Sequence, residues 1–172
     1  GNEPRWIAVP DETVIGANVA FRRDFLLDSG GFPEALGRKQ GDLLGHEETA
    51  LLPAADAKTG VYYQPEASVD HFIGRDRLTF WYFLRTAYFG GISAYRMDRL
   101  GGNGESYFGR SGRLDVLGKV GKETFRTLSS LVTADRRRVA MRLFYVGRVL
   151  GYLTEKLQGS VRATTSGELE RE

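Results

Sequence analysis

The sequence predicts an α/β domain followed by a C-terminal amphipathic helical segment, and three patterns carry that prediction. Short runs of β-branched and aromatic residues, cut by Gly and Pro, fill the front of the chain, as strands and tight turns require. Apolar residues then recur three and four apart from Leu78 to Tyr95, the spacing of a one-sided helix. A second stripe, Val139, Leu143, Val146, Leu150, Leu153 and Leu157, alternates four and three.

Taken in order, Val14 to Phe21 mixes apolar and small residues and reads as a short buried strand entered through a tight loop at Gly16 and Asn18. Asp24 to Ser29 reads as a short helix stopped by Gly30-Gly31, and Pro33 to Asp42 as a polar loop. From Glu47 to about Lys58, Glu48, Leu51, Leu52 and Ala55 share one helical face, with Gly60 as the stop. Pro53 removes a hydrogen bond unless it lies in the first turn, so this helix should start later than Glu47 or bend. Val61–Tyr63 and Ala67–Val69 read as strands broken at Pro65. Asp76 or Thr79 caps a long helix running to Met97, whose stretch Phe80–Phe89 is dense in aromatics, and Trp81 is assigned to the core. A Gly-rich linker over residues 101–112 divides a first unit, 1–100, from basic amphipathic helices over 113–158, the second starting at Arg136. Gly147 and Gly151 would let another helix approach closely, and the polar tail, 159–172, reads as disordered.

Composition bounds the function classes. With 172 residues, 41% apolar and 27% charged, the chain can bury one core and is not an unstructured polymer. It has no cysteine, which excludes disulfides and thiolate metal sites and fits a reducing compartment. Nowhere do eighteen apolar residues run together, the minimum for a transmembrane helix. Residues 1–75 carry a net charge of −5 and residues 76–172 a net of +7. That basic back half suits anionic lipid headgroups or a phosphate-bearing substrate, or simply a solvated helix face. No base-reading motif accompanies it, so nucleic acid is not expected as a partner.

Three local patterns place chemistry on element ends: Gly16-Ala17-Asn18-Val19-Ala20-Phe21-Arg22-Arg23, Gly45-His46-Glu47-Glu48 and Val69-Asp70-His71. A carboxylate at a helix start can take a proton from an attacking hydroxyl, and adjacent helical residues point about 100° apart, so Glu47 and Glu48 cannot serve one hydroxyl together. The plain structural reading is that both acids favour the positive helix end. Likewise His71 reads as a packed, hydrogen-bonded strand residue, and Arg22 and Arg23 as surface and core-edge arginines.

In order and spacing, these patterns resemble the acceptor-side half of family 2 glycosyltransferases, nucleotide-sugar-dependent enzymes of GT-A fold, over Ile15 to Tyr95. The resemblance implies the C-terminal part of a GT-A mixed sheet with flanking helices, and an inverting transfer of sugar from a nucleotide-sugar donor to a glycan or lipid-linked saccharide hydroxyl, as in polysaccharide biosynthesis. It makes Glu48 the catalytic base, with Glu for the commoner Asp and His46 where glycine is frequent. Glu47, Asn18, Arg22 and Arg23 become acceptor-binding residues. His71 becomes a ligand of a divalent metal, Mn²⁺ or Mg²⁺, or a diphosphate contact, facing the same hollow as Glu48. The Asp-x-Asp part of such a metal site has no match in the chain. The chain begins at Gly1 and resembles neither a signal peptide nor a natural start, so it reads as a fragment lacking the donor half and inactive alone. The basic helices would then dock peripherally on the cytoplasmic face of the cell membrane. The alternative is a non-catalytic carbohydrate- or protein-interaction module with membrane-associating helices.

Overall fold

The computed structural model describes residues 3–9, 11–39, 41–100 and 136–169, with the side chains of the last ten left aside. The expected linker over 101–112 and the first basic helix, from 113, lie outside the described residues. Within them the chain is mixed α and β. Strand β1 (Arg5–Ile7) pairs antiparallel with β2 (Val61–Tyr63), Trp6 opposite Tyr62, and the helices are α1 (Arg23–Asp28), α2 (Leu52–Thr59), α3 (Phe80–Leu100) and α4 (Arg136–Leu169).

Local signals explain most element ends. Helix α1 closes in a Schellman arrangement: Gly31 N–H donates to Leu26 O at 2.9 Å and Gly30 N–H to Leu27 O at 3.1 Å, with both glycines at positive φ. Pro53 falls in the first turn of α2, where its missing N–H costs nothing, and a 3₁₀ turn over Thr49–Leu51 leads into it. Gly60 ends α2 at φ 73°, and a Cβ there would lie 2.8 Å from the Trp6 ring, so that ring can lie flat over the turn only because residue 60 has no side chain. Thr79 caps α3, its Oγ1 accepting from Tyr82 N–H at 3.2 Å. Phe25, Leu51 and Ala55 form a small core with Phe21, Leu26 and Val61 packed on it, joining α1 to α2 and β2.

Two expected strands are absent. Val14–Phe21 instead makes a 3₁₀ turn over Gly16–Asn18 between extended Ile15 and Val19, with Ile15 exposed. Ala67–Val69 leaves a turn, Ala67 N–H bonding Gln64 O at 3.1 Å, and runs on without a ladder. Neither run has a strand beside it among the described residues, and an unpaired strand leaves its backbone groups to water.

The largest interface is between α3 and α4. Contacts pair Phe83 with Phe144, Tyr95 with Tyr152 and Arg96 with Glu155, so residue numbers rise together and the helices run in the same direction. Their backbones touch at glycine. A Cβ on Gly91 would lie 1.9 Å from Arg148 O, one on Gly151 1.8 Å from Tyr88 O, and one on Gly147 3.3 Å from the Ala87 Cβ. The spacing that permits a close helix neighbour is therefore used within the chain. The buried face of α3 is accordingly small: Ala87, Gly91, Ser93 and Ala94, with Ile92. Trp81, assigned to the core from sequence, is 70% exposed, because it lies a turn or more before this narrow seam and no element among the described residues covers its ring. Below the seam Arg96 Nε donates to Glu155 Oε1 at 2.8 Å and its Nη1 to Ala35 O at 2.7 Å, tying α3, α4 and the loop carrying buried Leu36. Helix α4 passes the expected end at residue 158, its backbone helical to Leu169, where no proline interrupts propagation from the packed turns. No described helix is long and apolar enough to cross a membrane.

Two substitutions separate close approach from ordinary helix propensity. Gly91→Ala and Gly151→Ala each force backbone against Cβ and should cost about 3 kcal/mol or more, the upper end for overpacking. Gly90→Ala, on the same helix with no heavy atom within 4 Å of the new Cβ, should stabilise by about 0.5–1 kcal/mol. Urea denaturation of the three variants checks both.

Candidate functional site

The Gly45-His46-Glu47-Glu48 turn sits where three parts of the molecule meet. Gly45 N–H donates to the fully buried Ser93 Oγ at 3.2 Å, anchoring the turn on α3. His46 then adopts φ 75°, the left-handed conformation that a residue with a Cβ rarely takes, so the turn holds strain that its docking offsets. Its carbonyl accepts from Ala50 N–H at 3.0 Å, and Glu48 O accepts from Leu51 N–H at 3.2 Å, so the turn winds into the helix that follows.

This geometry separates the two acids. The Glu48 carboxylate lies on the backbone of Gly16, where a Cβ would come within 2.9 Å of Cδ and 3.0 Å of Oε2. A side chain at 16 would displace the Glu48 carboxylate from this seat, and two of the three sequence patterns touch. Glu47 turns elsewhere: its Oε2 is buried and has no hydrogen-bond partner among the described residues. An unpaired buried carboxylate oxygen is costly in a settled structure and is a common mark of a place where a ligand hydroxyl or water belongs.

Helix α4 adds a cation. Burial pushes the His46 imidazole below its ordinary value, Arg148 adds to the depression, and Glu48 and Glu47 oppose it, so all four side chains share one electrostatic neighbourhood. Neither Arg148 nor Ser93 stands out as functional from sequence. The available signal for Arg148 was its position between Gly147 and Gly151, which puts it beside the close crossing.

The other expected residues are placed as follows. Asn18 donates its Nδ2 to Ala67 O at 2.6 Å, which ties the Gly16 turn to the segment leading to His71. Arg22 does not stand on a strand but precedes α1, and its guanidinium makes paired bonds to Asp24 at 2.6 and 3.2 Å. That contact holds Asp24 below the usual carboxylate range and raises Arg22. Arg23 is exposed on the first turn of α1. His71 is exposed and lines an open cleft of about 310 Å³ with Arg38, Arg77, Leu78, Tyr82 and Phe83. Glu48 is not among the residues that line that cleft. One imidazole can serve as one ligand of a larger set, and among the described residues no group of three or more His, Cys, Asp or Glu gathers to complete such a set.

No family model matches the chain, and no curated protein and no solved structure matches it either.

The buried imidazole gives a signed pH dependence. His46 titrates below 6.5 in the fold, so as pH falls the unfolded chain takes up its proton first and stability, full above that value, declines. His46→Asn tolerates the left-handed backbone and carries no titrating group. Unfolding free energies measured at neutral pH and near about pH 5 should differ less in this variant than in the wild type.

Proposed function

We propose that this chain provides the acceptor-binding, base-carrying portion of an inverting glycosyltransferase of family 2 and GT-A type. The observation that carries the reading is the seating of the Glu48 carboxylate on the Gly16 backbone, which brings the first two sequence patterns into one site. In this reading an acceptor hydroxyl attacks the anomeric carbon of a nucleotide-sugar. The new C–O bond forms as the bond to the diphosphate breaks, the departing nucleoside diphosphate keeps the electron pair, and the hydroxyl proton passes to Glu48. Glu47, whose buried Oε2 has no partner among the described residues, would bind a second acceptor hydroxyl. Arg23 would reach the acceptor from α1. Asn18 serves mainly as a strut, since its amide is bonded to Ala67. A divalent ion, Mn²⁺ or Mg²⁺, would neutralise the diphosphate, with His71 as one of several ligands. The acceptor would be a glycan or a lipid-linked saccharide at the inner face of the cell membrane.

One observation favours a second reading, a non-catalytic carbohydrate- or protein-interaction module. Two of the expected acceptor contacts, Asn18 and Arg22, are already engaged by Ala67 and Asp24. Kinetics separate the two. In the intact protein that carries this chain, Glu48→Gln should lower turnover of a nucleotide-sugar by a factor on the order of 10²–10⁴, the contribution of a general base. Glu47→Gln should act mainly on acceptor KM. Full turnover in Glu48→Gln with loss in Glu47→Gln reassigns the base, and activity unaffected by either removes the site.

A further inference from the structure

We propose that the cleft beside the start of α3 and the apolar segment that contributes to it form a docking surface for a bilayer containing anionic phospholipid. Arg38, Arg77 and His71 line the cleft together with Tyr82, Phe83 and Leu78, so cationic and apolar walls face one space. The segment that supplies His71, Ile73, Arg77 and Leu78 to the cleft is unusually apolar for solvent. Phe72 is 88% exposed, Leu78 and Trp81 70% each, and Ile73 and Phe80 about half. Large apolar side chains scattered singly need no explanation, but five exposed ones within the ten residues Phe72–Trp81 are a concentration of the kind that meets a partner.

The charge pattern selects the partner. Neither the Arg77 nor the His71 side chain is paired with a carboxylate among the described residues, and Arg38 is steadied through Nε by Leu44 O at 3.3 Å. Asp70 and Asp76 belong to the same stretch, yet neither lines the cleft, and Asp76 folds back on its own turn at Gly74. Guanidinium groups beside exposed Phe, Leu and Trp match the boundary between phosphate headgroups and acyl chains, where an arginine binds phosphate and an indole is half immersed. A soluble protein partner would need acidic and apolar groups in the same order, whereas a bilayer offers both by construction. The inference does not depend on the transferase reading, because no residue of the Glu47–Glu48 site takes part.

Trp81 reports on the surface directly, since Trp6 is the only other tryptophan and can be removed as Trp6→Phe. With phosphatidylcholine vesicles containing phosphatidylglycerol, Trp81 emission should shift to the blue and the protein should sediment with the vesicles. Phosphatidylcholine alone should give neither. Arg38→Gln with Arg77→Gln should weaken vesicle binding by at least about tenfold, Phe72→Ser with Leu78→Ser should abolish the blue shift, and Arg99→Gln and Glu48→Gln should leave both signals as they are. Binding undiminished in both double variants, folded by circular dichroism, overturns the proposal, as does equal binding to neutral vesicles. Saturable binding of inorganic phosphate without vesicle binding assigns the cleft to a free anion and overturns the membrane surface.

Discussion

Helices α3 and α4 approach until peptide groups touch, and they can do so only because residues 91 and 151 carry no side chain. At ordinary interhelical separations, side chains would fill that space. Here small residues make the seam and aromatic pairs, Phe83 with Phe144 and Tyr95 with Tyr152, close it on either side. The gain is dispersion between closely packed atoms and burial of the ring faces. The cost is the backbone entropy of glycine in helices, which the seam must exceed.

The crossing also organises chemistry. Ser93, buried on α3 near the seam, accepts the Gly45 N–H, and Arg148, flanked by the two close-approach glycines of α4, lies within electrostatic reach of His46. The acid pair therefore meets a helix that follows it by about a hundred residues. A cation near two carboxylates and a buried imidazole is a balanced arrangement: it limits repulsion between the acids while keeping the imidazole neutral. The strained backbone at His46 belongs to the same arrangement, because only a docked turn can hold that conformation against relaxation.

What was legible in the sequence is what local physics determines. Gly30-Gly31 as a helix stop, Thr79 as a cap, Gly60 as a reversal and Pro53 as a displaced helix start each depend on neighbours a few residues away. The strands expected at Val14–Phe21 and Ala67–Val69 failed because strand formation needs a partner, and a partner is not a local property. Trp81 misled for a related reason: aromatic density marks burial only when something arrives to bury it. The acid pair was singled out by its motif, but its surroundings were not, since Arg148 and Ser93 reach it through the helix crossing and the pattern around Glu48 does not announce them. Where the acid pair and His71 lie relative to each other likewise depends on loop paths that no periodicity encodes.

The most direct test of this account is the titration of His46 by NMR in the wild type and in Arg148→Gln. If the seam brings Arg148 to the turn, removing its charge leaves Glu47 and Glu48 unopposed, and the imidazole titration moves up toward 6.5. A His46 titration that is the same in both proteins would contradict the placement of α4 on the acid-bearing turn and, with it, the assembly of the site.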